Sequence, residues 1–588
     1  MPVSRDPQIT IPGCGAVQGL QVKTQPSVAK FLNVPYATVP ERWRPAFKAA
    51  AWSNVRDCTV LGPACPQPAQ ADPMAAMNRD DNNAGATQEV ITYSEEHCLN
   101  LNIFAPLDHL SKANALIPVM VWIHGGGFVH GSNALPLYDG SNFVAHSIRI
   151  GRPVILVTIN YRLNYLGFMS SAELKHDATL PQNLARSRGS VGNWGLMDQK
   201  MALEWVRDHI DVFGGSSQDV TAFGESAGAV SISYHLLIPE NHGLFQKVIL
   251  QSGAATTMAA GRAEIEGQRY FDHLCRHFGL QSAADQPLTG AEKLELLRAI
   301  DATELVKAGD FGRVGMFTPT IDDILIHQDP RIQLHDPRAY DQGIEAVMLG
   351  DCRDEGRTFV PFLGAKSMKR WDKFFARNCP PDEVSRREFE QIYGIPKTDK
   401  EARQISSRVI SDSVFLYPTH ATSLALMKKE SPALDLVRFH FDRPLKLMED
   451  MGIFIGAHHA IEIPFVFGSD AALALFKDPA EKELSRRMME IWILFAWGET
   501  NRQYGLTRCH RDNSSTGVGF MSGLLPSDIG VKGRGEALVF SEQATVERGL
   551  CERLDDRTLA FWRKHERWVS EKRERQYSGK VKKGGPKM

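Results

Sequence analysis

The run TAFGESAGAVSISYHLLIPE, residues 221–240, constrains the fold more than any other stretch of the chain. An apolar approach ends at Gly224; Glu225, Ser226, Ala227 and Gly228 follow, and an apolar segment of helical length begins at once. A chain that passes from strand to helix in so few residues must hold the intervening serine in strained backbone, hydroxyl outward. Small residues on either side keep the strand end and the helix start from colliding. The surrounding sequence supplies the sheet this turn needs. Short β-branched runs, IPVMVWI (117–123), PVILVTINY (153–161), QDVTAFG (218–224), KVILQSG (247–253), IEAVMLG (344–350) and DLVRFHF (435–441), alternate with helix-length segments. In GLMDQKMALEWVRDHIDVFGG (195–215), Met197, Met201, Ala202, Leu203, Val206 and Ile210 recur near helical spacing, and Asp198, Lys200, Glu204, Arg207 and Asp208 take the polar positions. Strands alternating with helices predict an α/β chain with a mostly parallel sheet covered on both faces.

Composition removes several classes. Among 588 residues, 67 Lys+Arg face 69 Asp+Glu, a formal net charge of −2, which excludes a globally basic nucleic-acid binder. No stretch approaches the roughly 20 apolar residues of a membrane-crossing helix, so no membrane insertion is expected. The opening MPVSRDPQITIPGCGAVQGL lacks the apolar core of a secretory signal, which gives a cytoplasmic expectation. The nine cysteines form no CxxC pair of the kind expected of a zinc site, and neither a metal nor a cofactor is expected. The one charge asymmetry is terminal: ten Lys/Arg against three Glu lie within 563–588, read as a basic helix end and flexible tail. The last three residues, Pro-Lys-Met, loosely match a C-terminal peroxisomal address, with proline ill-suited to its first position.

A nucleophilic serine needs oxyanion donors and a base. HGGGF (124–128) directly follows the strand IPVMVWI, and a triple glycine lets backbone N–H groups approach a developing oxyanion. Gly126, Gly127 and Ala227, the residue after the serine, are the candidate donors, while His124 is read as shaping the loop. In the order serine, acid, histidine, DCRDEGRTF offers Asp351, Asp354 and Glu355, and GAHHAIEIPFVFG offers His458 and His459. Spacing alone does not choose among them.

Taken together, FLNVPYA (31–37), HGGGF, NYRLNYLGF (160–168), GNWGLMDQKMALEWV (192–206), FGGSSQDVTAFGESAGA (213–229), ILQSG (249–253), FTPTIDD (317–323), DEG (354–356) and HHAIEIPFVFG (458–468) resemble, in order, the type-B carboxylesterase/lipase family that includes the cholinesterases. The resemblance implies an α/β-hydrolase fold in a single catalytic domain over 1–562, with insertions near 66–93, 254–316, 360–408 and 505–535. It implies a serine carboxylesterase with a Ser226, Glu355 and His459 triad. Glu225 and Glu462 would line the buried site. Arg42 and Glu96 would form a buried ion pair, Cys65 and Cys98 would close the first long loop as a disulfide, and Asp412 would be a buried aspartate.

Departures narrow the expected substrate. Residues 66–97 contain no tryptophan and one aromatic, Tyr93, which argues against the π-face recognition of choline esters. Cys275 has no nearby partner, which puts the Cys65–Cys98 bridge in question as well. Phe311, Met316, Phe317, Phe359, Phe362, Trp371, Phe374 and Phe375 are candidates for an acyl pocket. Ala460 stands where the family usually has Gly or Ser. The expected partner is a small apolar or metabolite-sized ester. An acyl-transfer or cyclising enzyme on the same scaffold is the alternative, and a non-catalytic binding protein the third reading.

Overall fold

The computed structural model describes residues 6–68, 91–110, 116–281, 288–309, 316–334, 336–427, 434–452, 456–499, 510–511, 518–519, 536–540, 546–550 and 554–583. Its centre is an eleven-stranded sheet. In chain order these strands are β1 (Leu20–Gln21), β2 (Val28–Pro35), β3 (Asn100–Pro106), β4 (Ile117–Ile123), β5 (Ile155–Ile159), β6 (Gly215–Glu225), β7 (Lys247–Gln251), β8 (Ala346–Cys352), β9 (Asp435–Phe441), β10 (Glu536–Phe540) and β11 (Val546–Leu550). Across the sheet they run β11-β10-β9-β8-β7-β6-β4-β5-β3-β2-β1. Pairing is parallel from β10 through to β5 and antiparallel at both ends.

Burial explains the uninterrupted apolar strands. Every residue of β4, β5, β7 and β8 is buried, as a parallel sheet covered on both faces requires. Alternate side chains feed two core layers: Val119, Val121 and Ile123 of β4 join Val157, Ala222 and Leu250 on one face. Met120 and Trp122 join Leu156, Phe223 and Met348 on the other.

Four helices matter for the site: α1 (Trp194–His209), α2 (Ala227–His235), α3 (Glu383–Tyr393) and α4 (Asp399–Ile410). Asp198, a polar position of the amphipathic pattern in α1, is fully buried, and the Arg162 guanidinium clamps both of its oxygens at 2.7 Å. Helical periodicity cannot show this, because the partner lies 36 residues away.

A third core, built from Trp371, Phe374, Phe389, Tyr393, Phe415 and Tyr417, incorporates Phe561 and Trp562 of α5 (Asp556–Lys583). Within the basic C-terminal segment Arg563, Lys564, Arg567, Lys572 and Arg575 are exposed, while Glu566 and Arg573 dock against the body of the protein. Position 563 falls inside α5, Glu566 accepts a 2.8 Å hydrogen bond from the Tyr417 hydroxyl, and Arg573 donates to the Ala260 carbonyl at 3.0 Å. Residues 584–588, like most of the insertions near 66–93 and 505–535, lie outside the described residues. Among those described, no helix is long and apolar enough to cross a membrane.

Candidate active site

The predicted residues converge at the carboxyl ends of the parallel strands, where open α/β sheets place their ligands. Ser226 ends β6 and opens α2 with φ 53° and ψ −121°, a conformation costing of the order of 1–3 kcal/mol. The surroundings hold it there: its N–H donates to the Gln251 carbonyl at 2.9 Å, and its own carbonyl accepts from Val230. A Cβ on Gly228 would lie 1.9 Å from the Ile123 carbonyl oxygen. Gly228→Ala should therefore destabilise the fold by about 3 kcal/mol, measured as a lowered Tm. An unchanged Tm would show that the turn is not so tightly determined.

The glycine loop abuts Ser226. A Cβ on Gly125 would stand 2.6 Å from Glu225 Oε2 and 3.1 Å from Ser226 Cβ. Gly126 has φ 102°, and a Cβ there would meet the His130 carbonyl at 2.0 Å. The N–H of Ala227 opens α2 immediately beside Ser226. His124 is buried and stacked on Tyr161 at 4.5 Å, with its Nδ1 2.9 Å from the Gly125 carbonyl. Burial pushes its pKa down to about 4, which suits a neutral, loop-shaping imidazole.

Main-chain register separates the alternatives that spacing leaves open. Asp354 and His458 pair as an isolated parallel bridge, with the Asp354 N–H donating to the Ala457 carbonyl at 2.7 Å. The next residues on each segment, Glu355 and His459, meet: His459 Nδ1–H donates to Glu355 Oε2 at 2.6 Å. Asp354 instead faces Arg353 and Arg357. Asp351 accepts from His440 at 2.6 Å, and His458 donates to the His459 carbonyl at 2.9 Å.

Glu355 is fully buried, and its Oε1 accepts from the Ser252 hydroxyl at 2.6 Å and the Cys352 N–H at 2.7 Å. The second imidazole nitrogen, His459 Nε2, stands 3.0 Å from Glu225 Oε1. Burial works against the imidazolium, but Glu225 and Glu355 together outweigh it and raise the His459 pKa well above its ordinary value. Glu462 is fully buried, accepting from Gln251 at 2.9 Å and from the Cys352 thiol at 3.2 Å. Desolvation, then the charge of Glu225, lift its pKa to about 7. Ser252 was visible in ILQSG, and its φ of 52° marks a second constrained turn, next to the Gln251 carbonyl that holds the Ser226 N–H. Gln251 lies in the same run and Cys352 in DCRDEGRTF, while Phe415 carries no such signal.

Other expectations separate. Arg42 pairs with Glu95, at 2.8 and 2.6 Å, and Glu96 points away, with 61% of its side chain exposed. Cys65 and Cys98 are buried free thiols, with Cys98 hydrogen-bonded to Cys65. Asp412 is half-buried and accepts from the Tyr393 hydroxyl at 2.8 Å. Ala460 has φ 68°, the left-handed region that favours glycine. Of the acyl-pocket candidates, Phe359 packs edge-on against His459 at 4.9 Å, and Met316 comes nearest to the space beside Gly127. Phe317 stacks on Tyr270 in the core, Trp371, Phe374 and Phe375 pack in the third core, and Phe362 is 73% exposed. Phe311 lies outside the described residues.

Residues 5–514 match the carboxylesterase family model. The chain belongs to the carboxylesterase family. It is 32% identical over 515 residues to para-nitrobenzyl esterase of Bacillus subtilis, covering 83% of this chain and 89% of that one. It is 29% identical to mouse cholinesterase, covering 84% and 79%. Among solved structures, a thermophilic para-nitrobenzyl esterase superposes with a TM-score of 0.68 at 27% identity, covering 93% of this chain and 98% of its own. A Geobacillus stearothermophilus carboxylesterase gives 0.68 at 26% identity, covering 94% and 99%. Family and neighbours make the fold an α/β-hydrolase fold and the chain a carboxylic ester hydrolase.

Proposed function

We propose that this carboxylesterase works through a Ser226, His459 and Glu355 triad and an acyl-enzyme, on uncharged apolar or metabolite-sized esters. The observation that carries the reading is the 2.6 Å bond from His459 Nδ1 to a buried Glu355, with Nε2 3.0 Å from Glu225, the residue before a serine held in left-handed backbone. Glu355 fixes the tautomer that leaves Nε2 to act as base. Nε2 takes the proton of Ser226 as Oγ attacks the ester carbonyl, and the oxyanion is met by the N–H groups of Gly126, Gly127 and Ala227. The imidazolium returns the proton to the departing alkoxide, and water, deprotonated by the same nitrogen, hydrolyses the acyl-enzyme. In the resting site Nε2 faces Glu225, and substrate binding draws it to the serine, as catalytic hydrogen bonds often tighten only in the complex. Two buried carboxylates on one imidazole, Glu225 and Glu355, disfavour an anionic acyl group.

The test is turnover of p-nitrophenyl esters graded in acyl length, with para-nitrobenzyl esters alongside because of the relative's name. Turnover that declines as the acyl chain acquires a carboxylate is expected. Failure to turn over any uncharged ester would sink the substrate reading. A pH dependence follows as well. The base must be neutral, so kcat/KM rises as pH climbs through the elevated His459 pKa. Glu225→Gln removes one carboxylate that favours the imidazolium, so the acidic limb should move to lower pH. An unmoved limb would remove Glu225 from the electrostatics of the base.

A further inference from the structure

We propose that the π-helical turn Ser411–Leu416 positions both the acid and the base of this site, and that the C-terminal helix α5 holds the turn in place. The inference rests on the triad reading above. Single π-helical turns recur at functional sites because they re-aim side chains that a regular helix would point elsewhere. This one, continuing from α4, presents two neighbours to the reacting groups. Ser411 Oγ accepts from the Gly356 N–H at 2.8 Å, directly after Glu355. Gly356 cannot retreat, since a Cβ there would already lie 2.0 Å from the Ser407 carbonyl of α4. Phe415 packs its ring 4.6 Å from the His459 imidazole and 5.2 Å from Phe359, so the base is enclosed between two aromatic rings.

The opposite side of the turn is tied to α5 by a buried relay. Trp562 Nε1–H donates to the Tyr393 hydroxyl at 2.7 Å, and that hydroxyl donates to Asp412 Oδ2 at 2.8 Å. Tyr393, which ends α3, therefore uses one donor and one acceptor between the C-terminal helix and the turn. A second tie follows one residue after the turn, where the Tyr417 hydroxyl donates to Glu566 Oε2 at 2.8 Å. Trp562, Tyr393 and Phe415 belong to one apolar core, so a loss at Trp562 reaches Phe415 through packed atoms rather than through solvent. Ser411, Phe415, Tyr393 and Trp562 are positioning residues, acting through Gly356 and His459.

Trp562→Phe keeps an aromatic six-membered ring and deletes the donor together with the rest of the indole. In the full chain it should lower kcat for p-nitrophenyl acetate about tenfold with KM within about twofold, and slow fluorophosphonate labelling of Ser226 by a similar factor. The loss should be non-additive with Tyr393→Phe, because the two share one relay. Should Trp562→Phe fail to accumulate folded, Phe415→Leu carries the same expectation, with Phe415→Tyr restoring the ring and the rate. Wild-type kcat, pH profile and labelling rate in folded Trp562→Phe and Phe415→Leu would overturn the proposal while leaving the triad intact. Absence of labelling in the wild-type enzyme would instead overturn the triad reading on which it rests.

Discussion

Ser226→Ala should lower kcat for any ester substrate by about 10⁶-fold, the scale on which a triad nucleophile is missed, while leaving the protein folded. The side chain is small, and the contacts that enforce the turn are main-chain ones: the Ser226 N–H to Gln251 and the Val230 N–H to the Ser226 carbonyl. Alanine retains both. Alanine at φ 53° is no more strained than serine, so the loss is chemical rather than structural. Stopped-flow assay of the variant, with its Tm recorded alongside, checks both halves. Residual turnover within about a hundredfold of wild type would mean that another group attacks the ester.

Glu355→Gln should cost about 10⁴ in kcat with a fold that persists. Glu355 Oε1 has two donors, the Ser252 hydroxyl and the Cys352 N–H, and Oε2 has one, His459 Nδ1–H. A glutamine keeps its carbonyl on the two donors and turns its amide N–H toward His459 Nδ1. That reverses the bond, moves the ring proton to Nε2, and leaves the base unable to take the proton of Ser226. KM should change little, since no contact to substrate is lost. Full activity in Glu355→Gln would remove Glu355 from the mechanism.

The chain advertised its sheet and the strained turn at Ser226 because both are local. The uninterrupted apolar strands and the short strand-to-helix passage at 224–228 are properties of consecutive residues. The pairing of Glu355 with His459 was reachable only through family resemblance. Asp351, Asp354 and His458 are equally placed by spacing, and the bridge between Asp354 and His458 that settles the register is a long-range contact. The pairing of Arg42 with Glu95 rather than Glu96 turns on which side chain of the 95–97 turn faces inward, which charge pattern does not encode. The same holds for Asp198, whose burial depends on Arg162, and for Glu566 and Arg573, which dock from among the exposed basic residues of α5. Phe415 was equally invisible, since an aromatic in a helical turn gains its role from the imidazole it meets.

The central claim is that Ser226 becomes acylated by substrate, and labelling by a fluorophosphonate reads it most directly. Ser226 Oγ forms the new bond to phosphorus, fluoride leaves, and the hydroxyl proton passes to His459. Peptide mass spectrometry of the labelled enzyme should find the stoichiometric adduct on the peptide spanning GESAG at 224–228, with ester turnover lost in step. An unlabelled Ser226, or full activity after it is labelled, would contradict the account.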